Sequence, residues 1–231
     1  MSVNFLLDIN LGNEPETGVE KIPIWQIIQD ASATWFGLFI MIALALMLGY
    51  AIFVFVERFL ALQKASKEEG GLLTKVKEYI VDGKIDAAKD FCSRSTSPSA
   101  RMIEKGISRL GRPIENISAS IENTGKLEIL RLEQRLSFLA TAAGAAPMIG
   151  FLGTVVGMIM VFIDLQASTE LSIATIAPGI MTSMVTTVAG LVVGIIAYIG
   201  YNFLVAKIGK VVYQMENDAL EFMDMLHQPG K

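Results

Sequence analysis

A chain of 231 residues that is 52% hydrophobic and only 18% charged, with a mean hydropathy of +0.51, is too apolar for an ordinary soluble domain and reads as a membrane protein. A net charge of −4 and a pI near 5.1, without a basic patch interleaved with aromatics, argue against nucleic acid as a partner. The single cysteine, Cys92, cannot form an internal disulfide, and the single histidine, His227, has no second His or Cys at metal-site spacing, so neither a metal nor a cofactor is expected.

The first twenty residues carry four acids and no base, unlike a cleavable signal peptide, so the N-terminus is expected to stay in the mature protein. Residues 1–30 form an outward-facing lead that ends in "IPIWQIIQD". Ile24, Trp25, Ile27 and Ile28 there fit a short interfacial helix, with Trp25 and Trp35 at headgroup depth. Three stretches lack any Asp, Glu, Lys or Arg, and they set three crossings at 31–56, 136–163 and 173–206. Each satisfies the ~20 residues that a helix needs to cross a bilayer, and the third exceeds it.

Between the first two crossings, 57–135 reads as a cytoplasmic helical domain. Leu72, Leu73, Val76 and Ile80 share one face, "VDGK" is a turn, Ser97 caps a helix that has Pro98 in its first turn, and "LGRP" is a stop and restart. From Ile114 to Ala140 no breaker is stronger than Gly125, which predicts one unbroken helix from cytoplasm into membrane. Residues 164–172 make a short outer loop, and 207–231 an amphipathic cytoplasmic helix that closes at "QPG". Of the 19 lysines and arginines, one precedes the first crossing, fifteen lie between Arg58 and Arg135, and three follow Ala206. The positive-inside rule then puts the N-terminus outside and the C-terminus in the cytoplasm.

The second crossing contains "AAPMIGFLGTVVGM". Pro147 leaves the carbonyl of Ala143 without its helical donor and predicts a bend, while Gly150, Gly153 and Gly157 offer a close-packing seam with Thr154 on the same side. The third contains "APGIMTSMVTTVAGLVVG". Pro178 opens it, Thr182 with Thr186 and Ser183 with Thr187 form two hydroxyl rows, and Gly190 and Gly194 continue the small-residue pattern. Such hydroxyls either bond back to their own helix and pack, or line a path for water or an ion, and the residues alone leave both readings open. Ionisable groups between Leu136 and Ala206 are confined to Asp164 and Glu170 near the outer loop, so a conducting role would need a carboxylate from another chain.

These two segments resemble the second- and third-helix signatures of the MotA/TolQ/ExbB proton-channel family, closest to its ExbB members. The absence of a fourth membrane helix places the likeness in the ExbB/TolQ branch. It implies an all-α fold of three transmembrane helices with long cytoplasmic helical extensions. Copies would form a ring, a pentamer in ExbB-type complexes, in the bacterial inner membrane around an ExbD/TolR-like single-helix partner that carries the essential aspartate, with a TonB-like protein beyond it. The lipid bilayer is the remaining partner. By that likeness Thr154 and Thr187 match the pore-lining threonines. Thr182, Ser183 and Thr186 would extend the lining, and Pro147, Gly150, Gly153 and Gly157 match helix-packing positions. Many relatives carry a glutamate two residues after "APGI", where this chain has Thr182. The rival readings are a non-conducting membrane scaffold and a small transporter. An enzyme is not expected, since no phosphate loop or acid pair sits at a plausible site.

Overall fold

The computed structural model describes residues 35–65, 71–167 and 173–227. The expected interfacial helix at Ile22–Asp30, the lead before it, most of the outer loop and the terminal "QPG" lie outside these residues. Those described form seven helices, and no strand occurs among them: α1 (Trp35–Ala65), α2 (Leu72–Val81), α3 (Ile85–Arg94), α4 (Pro98–Ile107), α5 (Ile114–Glu133), α6 (Leu136–Ala167) and α7 (Ile173–His227). The fold is all-α, and α1, α6 and α7 are each long and apolar enough to cross a membrane.

The three long helices pack on one another, with the α6–α7 seam the most extensive contact and α1 laid against both. Their packing holds two buried clusters. One joins Ile40 and Leu44 of α1 to Ala146 and Val193. The other, nearer the charged end of the crossings, joins Val54 and Leu62 to Leu139, Ala197 and Leu204. Large apolar side chains elsewhere on these helices, such as Phe53, Phe151 and Ile199, are exposed. In water that would be costly, and in lipid it is the expected outer surface.

The short helices wrap the far half of α7. Val76, Ala88, Cys92, Ile103, Ile107, Ile117 and Ile121 close around Val211, Met215 and Phe222 in a separate buried core. The local signals act as expected. Gly71, Gly83 and Gly111 take left-handed backbone at the breaks, and the Ser97 hydroxyl accepts from the Ala100 N–H at 3.1 Å ahead of Pro98. The one buried carboxylate of this core, Glu128, takes Arg101 at 2.5 Å and Arg131 at 2.6 Å.

The expected unbroken helix from Ile114 to Ala140 is not present. It ends at Glu133 and restarts at Leu136, because Arg135 adopts φ 67°. Charges from α1 account for this. Arg135 Nη1 reaches Glu57 Oε2 at 2.5 Å, and Glu57 also binds Arg58 at 2.9 Å. The Arg131 carbonyl, released where the ladder breaks, accepts from Arg58 Nη1 at 3.3 Å. By contrast α7 continues past Ala206 without interruption, and its 55 residues span about 80 Å at the α-helical rise.

Candidate functional site

The α6–α7 seam is built on missing side chains. A methyl group on Gly150 would stand 2.6 Å from the Thr186 carbonyl oxygen, and one on Gly190 would stand 2.5 Å from that of Ala146, so the two backbones meet directly here. Gly153 lies against Thr186 and Ile40, Gly157 against Ser183, and Gly194 against Pro147 and the carbonyl of Ala143, which the proline leaves without its helical donor. Six of the expected packing positions thus fall on one seam. The side chain of the seventh, Pro178, is outside the described residues, as is that of Thr182.

Close approach brings hydroxyls of one helix onto carbonyls of the other. Thr154 Oγ1 donates to the Ser183 carbonyl at 3.0 Å, Thr187 Oγ1 donates to the Gly150 carbonyl at 3.2 Å, and the two hydroxyls also touch each other. Thr186 Oγ1 reaches the Gly150 carbonyl at 3.2 Å and the Ser183 carbonyl at 2.8 Å, while Ser183 Oγ bonds back to the Ile180 carbonyl at 2.9 Å. The expected stripe therefore divides. Ser183 and Thr186 are buried inside the seam at 4% and 3% exposure, as packing residues are, whereas Thr154 and Thr187 are only half-buried and lie at its open edge.

Proton counting defines what that edge offers. Thr154 and Thr187 own one proton each, and both have a backbone carbonyl or one another to donate to. With those bonds made, what remains toward the outside is acceptor capacity. The pair can take a hydrogen bond from a neutral acid with nothing broken. To donate to a carboxylate it must release a bond already made. Among the described residues no carboxylate is hydrogen-bonded to this pair, and no group of three His, Cys, Asp or Glu could hold a metal.

Sequence reasoning missed three contributors: Ala146, whose carbonyl faces Gly190; Ile40, which brings α1 to Gly153; and Val161, which lies against Gly179. Ala146 carries a signal in hindsight, being four residues before Gly150 on the same face. Ile40 and Val161 are apolar residues in apolar helices, and nothing local distinguishes them.

A family model described as the MotA/TolQ/ExbB proton channel family matches residues 94–217. The Tol-Pal system protein TolQ of Haemophilus influenzae is 36% identical over 101 residues, 44% of this chain and 44% of that protein. The biopolymer transport protein ExbB of Salmonella typhimurium is 27% identical over 202 residues, 82% of this chain and 80% of that protein. A putative biopolymer transport protein, ExbB-like 2 of Helicobacter pylori, is 40% identical over 82 residues, 36% of this chain and 54% of that protein. The chain spans about half the length of the TolQ relatives it matches. The family model covers more than half of the chain, from the end of α3 to Asn217 and so through the whole hydroxyl seam, and the chain belongs to the MotA/TolQ/ExbB proton channel family.

Proposed function

We propose that this chain is the ring-forming subunit of a proton-motive-force-driven motor in the bacterial inner membrane. Five copies would enclose an ExbD/TolR-like single-helix protein whose aspartate titrates against Thr154 and Thr187, and a TonB-like protein would carry the work outward. The observation that carries this is the hydroxyl pair at the open edge of an otherwise uncharged seam, where a partner's acid finds acceptors and no competing charge. The Salmonella typhimurium ExbB relative aligns over 82% of the chain against 44% for the Haemophilus influenzae TolQ, which favours energising outer-membrane transport over a TolQ-like role in envelope integrity.

The energies suit a switch. Placing a bare carboxylate at mid-bilayer costs roughly 2.5–3.5 kcal/mol, and one charge moving through 100 mV releases about 2.3. Protonation therefore decides whether the partner's acid can sit in the seam. Residues 57–135 and the distal part of α7 stand in the cytoplasm in this reading, with the N-terminus in the periplasm. The chain performs no covalent chemistry.

The test is proton uptake by liposomes under an imposed potential, with the chain alone and with a co-purified single-helix partner. Uptake only with the partner, abolished by Thr187→Val in complexes that still assemble, supports the motor. Loss of assembly together with uptake assigns the hydroxyls to packing, and a bound partner without uptake favours the scaffold.

A further inference from the structure

At the charged end of the crossings, α1 and α7 form a second site on the outer surface, away from the hydroxyl seam. Phe55 and Phe59 of α1 stack with centroids 6.1 Å apart, and Phe203 of α7 lies 6.2 Å from the first and 6.0 Å from the second. Gly200 permits this, since a methyl there would stand 3.1 Å from the Phe55 ring. Lys207, the first charge after the uncharged run of α7, lays its ammonium over the Phe59 ring at 4.3 Å and over Phe203 at 5.4 Å.

Two features separate this lysine from an ordinary solvated one. None of the ion pairs among the described residues includes it, although Glu57 on the same helix as Phe59 is paired twice. It is also held at the depth where both helices pass from apolar to charged sequence, beside exposed Val56 and Leu60 of α1 and exposed Ile199 and Phe203 of α7. Ring faces hold the cation without consuming its three N–H donors. An ammonium held over these rings, where exposed apolar side chains of both helices give way to charged sequence, matches an occupant with a phosphate at its head and hydrocarbon below.

We propose that Phe55, Phe59, Phe203 and Lys207 form a binding site for an anionic phospholipid, with the lipid phosphate on the Lys207 ammonium and an acyl chain along the α1–α7 groove. The site couples α1 and α7 through a lipid. It is independent of any proton path, because it needs only that α1 and α7 cross the membrane.

The full chain, purified in a mild detergent, is titrated with phosphatidylglycerol or phosphatidylcholine and read by native mass spectrometry. Phosphatidylglycerol adducts should exceed phosphatidylcholine adducts. Lys207→Gln should lower the former about fivefold, the factor that one lysine near an anionic surface contributes, and leave the latter unchanged. Lys210→Gln, which removes an exposed lysine with no ring contact among the described residues, should change neither. Equal retention of the two lipids by the unaltered chain overturns the site, and that comparison stands even where Lys207→Gln does not fold. An equal loss for Lys210→Gln shows diffuse attraction to a basic boundary and overturns it too. Phosphatidylglycerol carried by monomers and excluded from oligomers assigns the groove to a second copy of the chain.

Discussion

Among single residues, four hydroxyls that look alike in sequence do different work. Thr154 and Thr187 make bonds across the seam and remain accessible, while Ser183 and Thr186 fill it. Interhelical hydroxyl bonds contribute on the order of 0.6 kcal/mol each, so Thr187→Val should shift the melting of the detergent-solubilised protein only slightly and yet abolish partner-dependent proton uptake. Thr187→Ser, which keeps the hydroxyl, should restore most of the uptake. A large loss of thermal stability in Thr187→Val would remove the ion-path role from this residue. The glycines behave oppositely. Gly190→Ala drives a methyl into the Ala146 carbonyl and should destabilise by about 1–3 kcal/mol, whereas Gly144→Ala, one helical turn before Pro147 with open space around it, should be close to neutral. Equal melting points for these two variants would show that the seam tolerates a wider spacing. The glycine and threonine spacing made the seam legible before any coordinates, since four-residue repeats fix a face. Which hydroxyls stay open was not legible, because it depends on how far the helices rotate about their axes.

For the helices, local signals located the breaks at Gly83, Pro98 and Gly111 and missed the one at Arg135, which carries neither glycine nor proline. Nothing in "LRLEQRLSF" interrupts helical propensity, and the turn at Arg135 is imposed by Glu57 and Arg58, 78 and 77 positions earlier. Left-handed backbone costs a non-glycine residue about 1–2 kcal/mol, which the surrounding packing and the ion pair together offset. Arg135→Gly exchanges strain for a lost ion pair and should leave stability within about 1 kcal/mol of the parent. Arg135→Val keeps the strain, loses the pair, and should cost about 2 kcal/mol or more. Thermal melting of the two variants separates them, and equal losses would mean that the backbone at this point is not strained. A related asymmetry holds in the core formed by the short helices and the distal part of α7. Removing both Arg101 and Arg131 leaves the Glu128 carboxylate buried without counter-charge, whereas Glu128→Gln leaves arginines that water can reach. The double variant, Arg101→Met with Arg131→Met, should therefore be the less stable, by roughly 2 kcal/mol or more. A melt showing Glu128→Gln to be the weaker would locate the stress on the arginines.

Across the whole molecule, two cores that share no buried residue are joined by one uninterrupted helix and one broken one. Leu132, just before the break, packs against both cores, and α7 runs through the two of them for 55 residues. The apolar and polar halves can thus be told apart from hydropathy alone, yet their mechanical connection could not, since it depends on whether each of two junctions stays helical. The sequence pattern made both connections rigid, one from Ile114 onward and one from Leu191 to the tail, and the structure breaks the first at Arg135 and keeps the second. If the motor reading holds, torque or displacement generated at Thr154 and Thr187 reaches the cytoplasmic domain chiefly through α7. A flexible Gly-Gly pair replacing Gly209–Lys210 lies between the cluster of the long helices that includes Ile208 and the cluster of the short helices that takes Val211 from α7. It weakens helix propagation there by about 1 kcal/mol for the one residue changed, too little to unfold either core. Replacing Gly209–Lys210 by Pro-Gly removes a ladder hydrogen bond and breaks the rod outright, at about 3 kcal/mol. Proton uptake in liposomes should survive the Gly-Gly change and also the Pro-Gly change so long as the complex assembles, because the hydroxyl seam lies some twenty residues away. Energised outer-membrane transport in cells should fall little with Gly-Gly and strongly with Pro-Gly. Transport that persists at full rate with the rod broken would show that the cytoplasmic half does not take part in transmission, and would confine the working parts to the membrane.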